Sequence, residues 1–202
     1  MAGAGGARGQ GSHGEFWPEV DVFVGVAPST RLLFLTSLTR AQDIQYQQAE
    51  VGAYVDSRLS PHWSVRAGYS FLGSTTNGSS REDRGVVALT YNVELPEAFR
   101  LLDRNRVDLR WVNGDFSARY RNRLRFERPV DLGRDRAITP YVQVEPYYYF
   151  SKNTIGRITS QIGAEWQMSR RFSLDGGFAH QNDRDAAVDN VNAIALTLTV
   201  NF

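Results

Sequence analysis

Three histidines, His13, His62 and His180, are the chain's whole supply of imidazole, and it has no cysteine. Imidazole is the side chain most often used as a general base near neutral pH, so acid–base or nucleophilic chemistry has few places to start. His13 lies in a glycine-rich opening segment and His62 in the turn Ser60-Pro61-His62, which leaves His180 in Phe178-Ala179-His180-Gln181-Asn182-Asp183. A nucleophilic hydroxyl needs a neighbouring base to activate it. Position 182, on the same strand face as His180, is Asn and offers no hydroxyl, so the ring is expected to act as a hydrogen-bonding group at a strand end. No metal-ligand spacing is present. The pair in Asp175-Gly176-Gly177 falls in a strand pattern, where glycine marks a bend or bulge rather than a phosphate cradle. Neither a catalytic residue, a metal nor a cofactor is expected.

A row of charge is the second chemical pattern. Between Phe116 and Arg128, Arg119, Arg121, Arg123, Arg125 and Glu127 share one parity while Ala118, Tyr120, Leu124 and Phe126 share the other, and Asn122 interrupts the apolar row. Joining this run to Arg106–Val112 through a type I′ turn at Asn113-Gly114 puts Asp108 opposite Arg119 and Trp111 opposite Phe116, so each side chain meets its own kind of face. Arg110 shares the parity of Asp108. On the matching parity of other runs stand Glu50, Asp56, Glu94, Glu145 and Glu165, and unpartnered guanidinium groups in an interior would be prohibitively costly. A lumenal network of Asp108, Arg110, Arg119, Arg121, Arg123, Arg125, Glu127, Glu145 and Glu165 is therefore expected. Such a wall could bind or conduct phosphate or carboxylate groups; the plainer and preferred role is a structural ladder filling a narrow barrel. Tyr147, Tyr148, Tyr149 and Phe150 read as an interfacial aromatic girdle rather than a ligand platform.

These residues must be held by strands, because the dominant period is two, in runs longer than the five or six residues usual in soluble sheets. In Trp63–Phe71, Trp63, Val65, Ala67, Tyr69 and Phe71 oppose Ser64, Arg66, Gly68 and Ser70. Ile155–Met168 sets Ile158, Ile162, Ala164, Trp166 and Met168 against Arg157, Thr159, Gln161, Gly163, Glu165 and Gln167. The last run sets Ile194, Leu196, Leu198, Val200 and Phe202 against Ala193, Ala195, Thr197, Thr199 and Asn201. Phe16–Ala27, Arg31–Arg40, Gln47–Arg58, Gly85–Leu95, Arg106–Val112, Phe116–Arg128, Pro140–Phe150 and Phe172–Gln181 bring the runs to eleven. Short turns (Pro28-Ser29-Thr30, Ser60-Pro61-His62, Ser169-Arg170-Arg171) alternate with longer polar stretches such as Gly73–Asp83 and Asn182–Asn190, and Pro96–Asn105 reads as a long connection on the short-turn side. Single-chain bacterial barrels have even strand numbers. One run should therefore be a loop, or a further strand should come from Met1–Gly14 or Pro96–Asn105, giving ten to twelve.

Length and charge fit one such barrel. The 202 residues carry 23 basic and 22 acidic side chains for a net charge of +1, far from the basic footprint of a nucleic-acid binder. No apolar run approaches the roughly 20 residues of a membrane helix. The negative mean hydropathy is uninformative, since a membrane barrel shows only alternate residues to lipid. Met1–Gly14, rich in Gly, Ser and His, lacks the apolar stretch of an export signal and is expected to be a disordered terminus or vector-derived remnant, with residues 15–202 forming the barrel.

Resemblance adds to this reading. The final run, apolar at every second position from Ile194 to Phe202, resembles the C-terminal signal that outer-membrane barrels present to the barrel-assembly machinery. The setting of His180 is loosely similar to the lipid A 3-O-deacylase motif, with Asn182 where that motif has its Ser. Phe16-Trp17-Pro18-Glu19-Val20-Asp21, Asp103-Arg104-Asn105-Arg106, Arg119-Tyr120-Arg121-Asn122-Arg123 and Gln181-Asn182-Asp183 resemble a bacterial family known as a domain of unknown function, family twenty-four-ninety, over Glu15–Phe202. That resemblance implies an outer-membrane barrel and brings no activity with it. The expectation is an all-β, antiparallel up-and-down transmembrane barrel in the outer membrane of a Gram-negative-type bacterium. It would be structural or a small channel, in contact with lipid and lipopolysaccharide and assembled by the barrel machinery. Two alternatives stand beside it: a lipid-modifying enzyme at His180, and a soluble calycin-like barrel that turns its apolar parity inward around a small apolar ligand.

Overall fold

The computed structural model describes residues 12–41, 47–75, 80–184 and 190–202. In them the alternating runs become β1 (Ser12–Ala27), β2 (Thr30–Ala41), β3 (Gln47–Arg58), β4 (Trp63–Ser74), β5 (Arg81–Glu94), β6 (Arg100–Val112), β7 (Asp115–Glu127), β8 (Val130–Gly133), β9 (Arg136–Tyr149), β10 (Thr154–Gln167), β11 (Phe172–Asp183) and β12 (Asn190–Asn201). Consecutive strands pair, except that β7 passes over β8 to pair with β9, and β1 meets β12, so β1–β7 and β9–β12 close into an eleven-stranded barrel. Closure matters physically because it leaves no edge of unpaired N–H and C=O groups. The short β8 stands outside the ring. It pairs only with the first residues of β9, while β7 takes the same edge of β9 from Tyr141 onward, so β8 and the start of β9 form a small hairpin extending past the rim. Its turn is pinned by an ion pair at 3.0 Å from Arg170 to Asp135.

An odd strand number forces the first and last strands to run the same way. The seam is accordingly parallel, from Ser12↔Asn190 to Phe23↔Asn201, while every other pairing is antiparallel. All eleven sequence runs are strands, and the even-number rule that would have removed one does not apply. A parallel ladder is somewhat weaker per residue than an antiparallel one, but here it is twelve rungs long and is locked at its end, where Phe202 N–H donates to Phe23 O (2.9 Å) and Gly25 N–H to Phe202 O (3.0 Å). On the other side of β1, the β1–β2 register skips from Phe16↔Arg40 to Glu19↔Ser37. Pro18 lies in that gap and has no N–H to give to the ladder.

Parity decides which face each side chain takes. Phe34, Val51, Val55, Tyr69, Val87, Leu109, Phe126, Val142, Ile162, Trp166, Phe178 and Ile194 are exposed on the outside, while Arg84, Asp108, Arg119, Arg121, Glu127 and Glu145 are buried inside. Apolar out and charged in is the inverse of a soluble barrel, which rules against the calycin-like alternative. One group of exceptions lies on the β6–β7 hairpin, where Asp103, Asn105, Tyr120 and Asn122 take the outward parity, and another on β10–β12, where Ser160, His180 and Asn192 do. Charged groups on a lipid-facing surface are penalised, by about 2–4 kcal/mol for a midplane Arg or Lys and less for Asp or Glu.

The interior is not uniformly polar. Phe23, Leu33, Tyr54 and Val86 form a buried cluster inside the ring, with Leu35 packed against it. Tyr54 lies flat over Gly68, where a Cβ would come 2.6 Å from the tyrosine Cα and 2.3 Å from Ala53 O; glycine is required there by close approach.

The structure redraws several boundaries. Strand β6 begins at Arg100, so most of Pro96–Asn105 is strand, and the connection reduces to Leu95–Phe99 around a single 3-10 turn, Pro96–Ala98. β8 was not anticipated, and β9 starts at Arg136 rather than Pro140. Ser12–Gly14 belong to β1; the remainder of the expected disordered terminus, residues 1–11, lies outside the described residues, as do residues 76–79 of the Gly73–Asp83 loop and 185–189 of the Asn182–Asn190 loop.

Candidate functional site: the arginine wall of the lumen

The wall is built by the β6–β7 hairpin. Asn113 (φ +52°) and Gly114 (φ +95°) both occupy the left-handed region, as a type I′ turn demands, and the resulting register sets Asp108 opposite Arg119 and Trp111 opposite Phe116. With β5 and β9 on either side, this brings Arg104, Arg106, Arg110, Arg119, Arg121, Arg123 and Arg125 onto one side of the lumen.

Two carboxylates organise most of them. Asp108 is 0% exposed and accepts hydrogen bonds from Arg119 Nε (2.6 Å) and Arg106 Nε (2.5 Å), with Arg121 Nη1 at 3.8 Å. Glu145, on β9, accepts a bidentate pair from Arg121 (3.1 and 2.8 Å), one bond from Arg104 (2.8 Å) and one from Arg123 (3.0 Å). Five guanidinium groups, those of residues 104, 106, 119, 121 and 123, thus share two carboxylates. The donors are not all used: Arg104 Nε, Arg106 Nη2 and Arg123 Nε are buried and have no protein partner, and buried donors of this kind require water or an anion.

Tyrosine rings interleave with the charges. The Arg121 guanidinium carbon lies 4.3 Å from the centroid of Tyr147, with those of Arg119 and Arg157 at 5.3 and 5.6 Å, and Arg125 covers Tyr141 at 3.7 Å. Cation–π contact holds a guanidinium in place without neutralising it. Tyr141 is itself fixed by donating to Asp175 (2.6 Å) and accepting from Gln161 (2.7 Å).

Elsewhere the ladder is balanced. Glu82 receives a bidentate pair from Arg110, both bonds 2.7 Å, and one bond from Arg84 at 2.7 Å. Asp56 holds Arg66 at 2.6 and 2.9 Å. Glu50 pairs with Arg84 at 3.4 Å, and Glu127 with Arg125 at 2.7 Å. Glu165 lies 3.8 Å from Arg125. Glu94 is exposed near a strand end, in register with Arg100.

Among the hollows between the described residues are two inside the ring. One, about 290 Å³, is bounded by Arg121, Arg123, Arg125 and Glu145 on the basic side and by Glu19 on β1. The other, about 550 Å³, opens at the end where the chain terminates, between Arg31, Asp56, Arg58 and the Ser60–Ser64 turn. Glu19 was not among the sequence candidates, although its parity in β1, shared with Trp17, Asp21 and Phe23, was the available signal.

The histidines lie elsewhere. His180 is exposed on the outer face of β11 and bonds through Nδ1 to Asn192 Oδ1 at 2.9 Å. Ser160, on β10, stands opposite it in register, a neighbour that short-range motif reading missed. Asn182 donates to Asn190. His62 caps a turn through the carbonyl of Asn92, and His13 falls within β1. Among the described residues no group of His, Cys, Asp and Glu is placed to hold a metal ion.

Two porins are among the solved structures similar in shape. The "NanC porin" matches 88% of this chain and 92% of its own at 13% identity and a TM-score of 0.49. The "anion-selective porin from Comamonas acidovorans" matches 85% of this chain, but only 53% of its own, at 16% identity and a TM-score of 0.39. No curated protein matches the sequence. A family model matches residues 15–192, and the chain belongs to that family, described as a protein of unknown function, DUF2490.

Proposed function

We propose that this barrel resides in a bacterial outer membrane and acts there as a narrow channel that favours small anions over cations, without enzymatic activity. The observation that carries the proposal is the unbalanced wall: five guanidinium groups share Asp108 and Glu145, and buried donors left over from three of them have no protein partner. Fixed positive charge beside a low-dielectric wall raises the local concentration of counter-ions, and planar guanidinium suits carboxylate and phosphate oxygens. The outward apolar parity supports membrane placement. In that setting the row Ile194, Leu196, Leu198, Val200 and Phe202 serves as the signal read by the assembly machinery, and the outer face contacts lipid and lipopolysaccharide.

Ion selectivity in planar bilayers tests this. Under a salt gradient the reversal potential should report anion preference, and Arg123→Glu should weaken or invert it with the barrel still folded. Cation preference in the unmodified protein would overturn the reading. A second reading, a structural barrel with a closed lumen, is favoured by one observation, the apolar cluster of Phe23, Leu33, Tyr54 and Val86 inside the ring; absence of any conductance would support it. The enzyme alternative finds little to build on, because His180 is oriented by a carboxamide rather than a carboxylate, and a neutral amide stabilises an imidazolium poorly. His180→Ala should leave lipid A composition unchanged.

A further inference from the structure

Asp103, Asn105, Tyr120 and Asn122 form a hydrogen-bonded island on the outer face of the β6–β7 hairpin. Asn105 and Asn122 face each other across the ladder; Asp103 lies one outward rung to one side and Tyr120 one to the other. Asn122 Nδ2 donates to Asp103 Oδ1 (2.5 Å) and Asn105 Oδ1 (3.2 Å), and the Tyr120 hydroxyl donates to Asn105 Oδ1. The island does not sit at the rim of the apolar belt. Leu101 and Phe126 pair on its one side, Trp111 and Phe116 on the other, and all of these side chains point outward. A carboxylate and two carboxamides therefore stand on a stretch of the outer face with apolar side chains on both sides, where lipid offers no hydrogen bonds.

The internal bonds leave capacity over. Asn105 keeps both N–H groups of its amide, and Asn122 keeps its carbonyl oxygen; the two are complementary, donor to acceptor. We propose that this island is the docking point for a second copy of the chain within the membrane, the two copies related by a twofold axis along the membrane normal. Such an axis returns each residue to its own depth, so the island meets its counterpart. The Asn105 amide of each copy then donates to the Asn122 carbonyl of the other, which is the reciprocity of a twofold contact. Polar groups of this kind join membrane-embedded segments because burial against protein is their alternative to lipid. A different membrane protein would need polar groups placed independently at the same depth.

The inference rests on the membrane placement proposed above. The full chain, labelled with one fluorophore, is folded into phosphatidylcholine vesicles, its folding checked by the shift in gel migration on heating, and the copies per particle are counted by stepwise photobleaching. Two steps are expected for the native protein and one for Asn105→Leu/Asn122→Leu, with the heat shift unchanged. Oxidation of Asn105→Cys should give a covalent dimer, and of Val142→Cys, elsewhere on the outer face, little. A folded native protein that bleaches in one step overturns the dimer, as does a double variant that still bleaches in two. In cells, a photo-crosslinker at position 105 that captures only a different protein also overturns it. Failure of the native protein to enter vesicles or shift on heating would instead overturn the membrane reading beneath it.

Discussion

Asp108 has no solvent exposure and sits between Arg106 and Arg119, with Arg121 close by. Neutralising it as Asp108→Asn keeps the shape but leaves buried guanidinium groups short of counter-charge, a change of the type that costs about 3–5 kcal/mol. The urea midpoint of the barrel in vesicles should fall accordingly. Arg31→Ala, at a pair whose arginine is 49% exposed, should cost less than about 1 kcal/mol in the same assay. The charge row was legible because parity alone assigns it to one face: Asp108, the arginines of β7 and Glu145 could be placed together from alternation and one turn. The shared use of Asp108 and Glu145 was not legible, since it depends on side chains reaching across three strands. Nor was the closeness of Ser160 to His180, which are twenty positions apart and meet only through the register of β10 and β11.

At the scale of elements, the β6–β7 hairpin shows both the strength and the failure of period-two reading. Asn113-Gly114 gave its register correctly because two residues with positive φ leave few alternatives. Space is not the constraint at Gly114, where an added Cβ would meet nothing within 4 Å; the backbone conformation is. Gly114→Val should therefore cost about 1–3 kcal/mol and slow refolding from urea, and Gly114→Asn should recover most of the loss. Gly68 is the opposite case, crowded by backbone, so Gly68→Val should disrupt the β3–β4 ladder, visible as loss of the heat-shifted band. The first half of β6 was hidden because Asp103 and Asn105 put polar groups on the outward parity and so imitate a loop. β8 was missed because all four of its residues are exposed and it has no buried face to leave a pattern.

The molecule as a whole closes on a parallel seam, and nothing local in the sequence announces how two chain ends will meet. Eleven runs could be counted; the pairing of β1 with β12 is a property of the complete ring. The seam puts the two ends of the ring at opposite rims. With the outer-membrane placement proposed above and the short turns on the periplasmic side, an epitope placed before Ser12 should be removed by protease added to intact cells, whereas one inserted in the Ser169–Arg171 turn, at the end of the barrel where Phe202 lies, should be protected until that membrane is broken. The same seam limits how the chain could be rewired. In a barrel with an even strand number the two termini emerge side by side, and a few residues can join them for circular permutation. Here β1 begins at the rim opposite the one where β12 finishes, so a joining segment must travel the full height of the wall. With the ring already closed, that segment would have to pass through the charged lumen or along the outer apolar belt. A permuted chain joined by a short linker should not close, and one supplied with a strand-length linker has a twelfth strand to insert at the seam, where each of its edges would find an antiparallel neighbour.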